Sequence, residues 1–481
     1  MRKQKMPKTF FYYSLGYGFA FCFALFKVPF LTNFFSPGEL GAYTLINSVL
    51  AYIDIIFFSW VNGTIWRNLY DKKFQTYSSL LSGILPILFF AFLFAGATTF
   101  ALSFTIANNA ATLTIAFFSS LSNQLISLYI TYLLYKRHIS KWSFFICFQN
   151  LLNLLLLMLF VIIYRLDIVS IFLSTLLANC LLLLFYLTPL YSRRFSFVTI
   201  DKNHYKKLFS YSALLTIINI FFTVLNNGDR FIIDHYKSKE KLGQYSQNYS
   251  LATVGFSSFI QLFTTIFLPA YIKNLGTKEN NQSNIRIVQL YVLLFSPLLC
   301  LFIFNSSIFT DMLLGKDFRG FSSVFNWVAV GIYFYGFANF FETRLKILNR
   351  IKIVAIIVGV HAVLNLVLNM LLLKHFRVEI AAILTFASYF SITIFFVGQN
   401  WSFFLSLHLS AILKKLLLAS MVFLAVCILV KNSGMNNFMM LLVNSLSGGF
   451  FYYFFLKEYF PILKNSIQEV GNYSPAGADN F

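Results

Sequence analysis

A chain of 481 residues in which 58% of the side chains are hydrophobic and only 11% are charged carries more apolar surface than a soluble core of that length can bury. Lipid must be its solvent, and no stretch remains for a large soluble domain. The formal net charge of +21 reads as a topological signal and an attraction to anionic headgroups, which makes nucleic-acid binding the weaker explanation.

A hydrocarbon core about 30 Å thick takes about 20 apolar residues per helical crossing. Splitting the chain at charged or Asn/Gly/Pro-rich breaks predicts an all-α polytopic membrane protein with about fourteen spans. They fall at 9–35, 39–66, 78–104, 111–135, 142–164, 168–190, 208–234, 241–272, 285–305, 321–346, 352–373, 378–404, 411–431 and 436–456. The basic start, Met1 to Lys8, could open a signal peptide, but the apolar stretch that follows is too long and Lys27 interrupts it, so it reads as a retained first helix. The tail after Lys457 contains Ser474-Pro475-Ala476-Gly477, a disorder-prone composition.

Cytoplasmic loops of membrane proteins are enriched in Lys and Arg. With the amino terminus inside, the cytoplasmic segments hold 26 of the 37 basic residues, the outer segments ten, and Lys27 stays within the first span. One connection dissents, with Lys237, Lys239 and Lys241 on the outer face. The same count places both termini in the cytoplasm.

The five cysteines, Cys22, Cys147, Cys180, Cys300 and Cys427, lie in apolar runs without a CxxC spacing, and read as small core residues. No P-loop, HExxH or similar motif occurs, so neither a metal nor another cofactor is expected, and ATP hydrolysis is not predicted.

An internal repeat is visible. Tyr13-Ser14 opens the first span and Tyr211-Ser212 the seventh; Leu40-Gly41-Ala42-Tyr43 starts the second and Leu242-Gly243-Gln244-Tyr245 the eighth. Lys27 precedes Gly41 by the same interval at which Asp229 precedes Gly243, so both first helices carry a charge at matching depth. Six spans separate the copies, which makes the repeat parallel. The layout predicts two pseudosymmetric six-helix bundles, 1–200 and 201–408, two further helices at 409–456 and a cytoplasmic tail at 457–481.

Ionisable groups inside a bilayer are costly and usually face a bundle interior or a watery cavity. Asn219, Thr223, Asn226, Asn227, Arg230 and Asp234 recur every three or four residues on the seventh span, with Asp229 beside them. Tyr335, Asn339, Glu342 and Lys346 form a second stripe, Asn47, Asp54 and Asn62 a third, and His361, Asn365 and Asn369 a fourth. Four stripes suggest a hydrated path. Interhelical hydrogen bonding is the plain alternative, of equal weight for the His361 set. Lys27 can also snorkel to the headgroups, and Arg67, Arg344 and Lys346 suit phosphate anchoring. Asp54 and Glu342 lie deeper and are the candidates for ion coupling, together with Asp234.

Three segments resemble the polysaccharide-export flippases, the Wzx-type O-antigen translocases of the multidrug/oligosaccharidyl-lipid/polysaccharide exporter superfamily. They are Val28-Pro29-Phe30-Leu31-Thr32 with Glu39-Leu40-Gly41-Ala42-Tyr43; Asn62-Gly63-Thr64-Ile65-Trp66-Arg67; and Asp229-Arg230-Phe231-Ile232-Ile233 with Leu242-Gly243-Gln244-Tyr245 and Pro269. The second match is loose.

The resemblance implies two lobes, a cationic central cavity and alternating access, carrying an undecaprenyl-pyrophosphate-linked oligosaccharide of O-antigen or capsule type across a bacterial inner membrane. It also implies no enzymatic activity, and candidate partners in a polysaccharide polymerase and a chain-length regulator. Arg230 looks like the family's motif arginine, and Lys27 stands where the family often has another basic residue. Lys27, Arg230, Asp229, Asn226, Asn227, Asn219 and Asn339 are the candidate substrate-binding residues. Two other readings stay open: a small-molecule antiporter on the same fold, relying on Asp54 or Glu342, and a lipid-dependent polymerase or glycosyltransferase, which would need a large outer loop that the sequence lacks.

Overall fold

The computed structural model describes residues 8–68, 77–106, 110–135, 138–191, 202–275 and 281–462, with side chains over 11–61, 88–102, 110–134, 138–184, 213–275 and 282–462. Backbone polar groups in lipid must be satisfied within the segment, so apolar runs become helices. In chain order these are α1 (Lys8–Phe34), α2 (Pro37–Asn68), α3 (Tyr77–Ile106), α4 (Ala110–Tyr135), α5 (Ile139–Met158), α6 (Val169–Tyr191), α7 (Lys202–Tyr236) and α8 (Lys239–Asn274). They continue as α9 (Asn281–Phe304), α10 (Ser306–Leu313), α11 (Ser322–Ile347), α12 (Ile351–Leu372), α13 (Glu379–Gln399), α14 (Trp401–Ser406), α15 (Leu409–Lys431) and α16 (Asn437–Leu456). Each predicted span overlaps helical structure, and all but the one at 378–404 correspond to a single main helix. Among the described residues eleven are long and apolar enough to cross a membrane, and Leu88–Leu102 and Val169–Leu184 are shorter apolar stretches.

The departures are local. The span predicted at 378–404 breaks at Asn400, whose side chain donates to the Phe396 carbonyl at 2.9 Å and whose backbone leaves the helical region between α13 and α14. A π-helical turn, Leu159–Ile163, ends α5. The short α10 and a 3-10 turn at Lys316–Phe318 were not predicted, because eight residues cannot make a crossing signal.

The chain divides into two compact units, one of Leu15–Lys27 and Phe34–Gly243, the other of the remaining described residues, chiefly from Gln244 onward. In the first unit α2 is central: it packs on α7, α3 and α4. Its core face sets Val49, Ile53, Phe58 and Val61 against Leu88, Ala91 and Ala95 of α3. Ser59 donates to Thr216 of α7 at 3.2 Å.

The repeated segments meet each other. Ser36 and Glu39 form a reciprocal cap before α2, Ser36 N–H donating to Glu39 Oε2 at 2.8 Å, and Ser238, at the equivalent position before α8, accepts from the Lys241 N–H at 3.2 Å. Just past these caps the two glycines face one another. A Cβ added to Gly41 would run into the Lys239 carbonyl oxygen, and one added to Gly243 into the Pro37 carbonyl oxygen.

In the second unit α11 lies against α13, α9 and α12. Lipid removes most of the hydrophobic drive between helices, so dispersion and interhelical hydrogen bonds hold them. The aromatics do much of this: Tyr291 stacks on Phe295 at 4.7 Å and its hydroxyl donates to the Tyr333 carbonyl at 2.8 Å, while Tyr335 stacks on Tyr389 at 5.0 Å. The last helix is anchored by a pair of buried amides, Asn444 of α16 donating to Asn305 Oδ1 at 2.6 Å. Asn305→Ala is therefore expected to lower the melting temperature of the detergent-solubilised protein, by about 1 kcal/mol of stability. The double variant Asn305→Ala/Asn444→Leu should recover part of that loss, since it leaves no amide stranded.

Candidate functional site

Helix geometry puts residues four apart on one face. In the first unit four helices each turn such a polar pair inward: Tyr43 and Asn47 on α2, Ser119 and Asn123 on α4, Gln149 and Asn153 on α5, Thr175 and Asn179 on α6. Together with Lys27 of α1, Asn150, Ile171 and Phe172 they line a cavity of about 300 Å³.

Its floor is a network centred on Asn179, which is 1% exposed. Asn179 donates to Ser122 Oγ at 2.9 Å and to Asn123 Oδ1 at 2.8 Å, and accepts from Gln149 Nε2 at 2.9 Å. Asn153 donates to Thr175 Oγ1 at 2.8 Å, and Asn150 to the Ile146 carbonyl at 2.8 Å. Tyr43 lies against Phe172 with ring centroids 5.3 Å apart. Lys27 is the one charged residue of the lining, and no described carboxylate forms an ion pair with it.

The other candidates are dispersed. On α7, Asp229 is 1% exposed, Arg230 is half-buried and donates to Ser48 Oγ of α2 at 3.3 Å, and Asn227 donates to the Thr223 carbonyl at 3.4 Å. Asn219 is exposed, whereas Asn226 and Asp234 are half-buried. Asp54 of α2 accepts from Ser120 of α4 at 2.5 Å. In the second unit Glu342, 2% exposed, pairs with Lys346 one turn along α11 at 2.5 Å, and Asn339 accepts from Thr343 at 3.4 Å. His361 bonds the Ile357 carbonyl at 2.7 Å and Ser391 Oγ at 2.8 Å, and Asn365 donates to Ser388 at 3.0 Å; these tie α12 to α13. The side chains of Asn62 and Arg67 lie outside the described residues.

Thus the structure brings Lys27 together with Asn47, and adds residues the sequence reading passed over: Ser119, Asn123, Gln149, Asn150, Asn153, Thr175 and Asn179. The available signal was their spacing, three spans in a row with polar residues four apart.

Long apolar helices thus make up two units, one of which encloses a polar cavity. The profile of the polysaccharide biosynthesis protein family matches residues 30–323, and the chain belongs to that family. No curated protein matches the sequence. The fold is shared with a structure described as the lipid II flippase MurJ in an inward closed conformation, with a TM-score of 0.72 and 14% identity over 94% of this chain and 99% of that one. An inward-facing multidrug resistance MATE family transporter of the MOP superfamily aligns with a TM-score of 0.57 and 12% identity, over 83% of this chain and 96% of that one. The Vibrio cholerae MATE transporter VcmN in its bent form aligns with a TM-score of 0.54 and 13% identity, over 84% of this chain and 97% of that one. The expected all-α polytopic fold and the expected kinship with polysaccharide biosynthesis proteins therefore hold, and the fold is the one those solved transporters share.

Proposed function

We propose that this protein is a flippase that carries an undecaprenyl-pyrophosphate-linked oligosaccharide from the cytoplasmic to the periplasmic leaflet of a bacterial inner membrane by alternating access. The observation that supports it most is the pairing of a polysaccharide-biosynthesis family match with near-complete alignment to a flippase of lipid II. A pyrophosphate needs cations within a low-dielectric surround, and sugars need amide and hydroxyl partners. Arg230 supplies the first and the amide-lined cavity beside Lys27 the second. Asp54, held by Ser120 between α2 and α4, is the candidate proton or sodium site, ahead of Glu342, whose charge Lys346 already balances.

The MATE-type folds keep a cation-coupled antiporter in view, with Asp54 as its carboxylate. Deletion of the gene in its native background separates the two. Accumulation of lipid-linked oligosaccharide with loss of surface polysaccharide, both reversed by the wild-type gene, is the flippase outcome. Unchanged intermediates together with altered drug sensitivity would overturn it in favour of the antiporter. A polysaccharide polymerase and a chain-length regulator are the proposed partners in the assembly pathway, and the proposed topology keeps both termini in the cytoplasm.

A further inference from the structure

Arg344 and Lys346 share the last turn of α11, and the structure gives them different surroundings. Lys346 pairs with Glu342 at 2.5 Å, whereas no hydrogen bond or ion pair to a described residue occupies the guanidinium of Arg344. That guanidinium lies over the ring of Phe403 in α14, 4.7 Å from its centroid, and the side chain is half-buried. A ring steadies a cation at low dielectric but offers no oxygen to its five N–H donors.

The ring is a fixed platform. Asn400 ends α13 and donates to the Phe341 carbonyl at 3.4 Å, which ties the start of α14 to α11. Phe403 is 3% exposed and lies edge-on to Tyr271 of α8, with centroids 6.4 Å apart, and to Phe341 at 5.9 Å. The Tyr271 hydroxyl is itself held, donating to the Phe340 carbonyl at 3.1 Å. Arg344 is thus presented by three helices of the second unit, with an oxyanion as the partner it lacks.

α14 gives the depth of the site. It joins two long apolar helices, α13 and α15, and its Trp401 and Leu405 are 55% and 56% exposed. A short helix with exposed Trp and Leu between two crossings lies at the membrane boundary, the level at which lipid phosphates stand. Where α8 and α11 finish and α9 and α12 begin, Lys273, Arg286, Arg350 and Lys352 add positive charge, and Glu342 is the sole carboxylate among the described residues there. That excess favours a lipid of net negative charge over a zwitterionic one.

We propose that Arg344, braced on Phe403, holds the phosphate of an anionic phospholipid of the surrounding bilayer, whose acyl chains lie against Trp401 and Leu405. This site is separate from the cavity of the first unit and does not depend on what the protein carries.

The test uses the full-length protein in detergent with added phosphatidylglycerol or phosphatidylcholine, which share the phosphodiester and differ in net charge. Native mass spectrometry is expected to give phosphatidylglycerol a Kd about tenfold below that of phosphatidylcholine. Arg344→Gln should abolish this preference, and Arg344→Lys, which keeps the charge without the fork, should retain part of it. Lys352→Gln removes an exposed charge at the same end and should leave the preference near wild type. Equal affinity for the two lipids in the wild type, a preference that survives in Arg344→Gln, or an equal loss in Lys352→Gln would overturn the assignment. Displacement of phosphatidylglycerol by inorganic phosphate at equal concentration would overturn it in favour of a soluble ligand, and displacement by farnesyl pyrophosphate in favour of a carrier lipid. Should Arg344→Gln fail to fold, Arg344→Lys decides, and an undiminished preference there overturns the proposal.

Discussion

Replacing Gly41 by valine is expected to remove most folded protein from the membrane fraction. At this position the neighbour of an added Cβ is the Lys239 carbonyl, a backbone atom at the start of α8 that cannot swing aside as a side chain would. The Gly243 amide nitrogen, in the same first turn of α8, lies 3.3 Å from that Cβ position, so the backbone of a whole helical turn would have to move away. Overpacking in a core costs about 1–3 kcal/mol where neighbours can yield, and backbone against backbone should exceed that range. Gly18 is the control, with no heavy atom within 4 Å of its added Cβ. Size-exclusion profiles and thermal melts of Gly41→Ala, Gly41→Val and Gly18→Ala should rank with Gly18→Ala unchanged and Gly41→Val worst. A Gly41→Val protein that melts like wild type would refute the tight crossing.

The second large effect is expected at Arg230. On the flippase reading its guanidinium, half-buried on α7 and reaching Ser48 of α2, meets the pyrophosphate of the carrier lipid. Removing one partner of a buried hydrogen-bonded charge pair costs about 2–5 kcal/mol, so Arg230→Ala should cut surface polysaccharide about thirtyfold or more at normal membrane levels. Lys keeps the charge but lacks the planar fork, and Arg230→Lys should fall between. Ser48→Ala, which loses only a neutral contact, should leave export near wild type. Lipid-linked intermediates measured in the same strains separate a transport defect from an absent protein, and full export by Arg230→Ala would remove Arg230 from the substrate path.

Much of the fold was legible because lipid leaves few options: a run of about twenty apolar residues must be helical, and charges mark its ends. Asn400 escaped notice since one polar residue in a long apolar run does not announce a break. The site was legible at two residues, Lys27 and Asn47. Lys27 stood out as a cation inside a span, and it does line a cavity. The amides of α5 and α6 did not stand out, because neutral polar residues in spans serve equally well as interhelical glue, which is what His361 and Asn365 do. Glu342 drew notice as a deep carboxylate, yet whether a charge is already balanced depends on a rotamer, and Lys346 one turn away supplies the balance. Periodicity gathered the α7 stripe onto one face but could not say that α2 lies against that helix.

The glycine crossing has a symmetry of its own. Gly41 touches Lys239 and Gly243 touches Pro37, and each of these pairs is the other with the repeat copies exchanged. This is an isologous contact, the kind by which two identical subunits join about a two-fold axis, realised here within one chain. Both glycines sit beside the axis, so opening the crossing at one already relieves the other. Gly243→Ala placed on top of Gly41→Ala should therefore cost far less than it does alone, a non-additivity that two independent tight spots would not show.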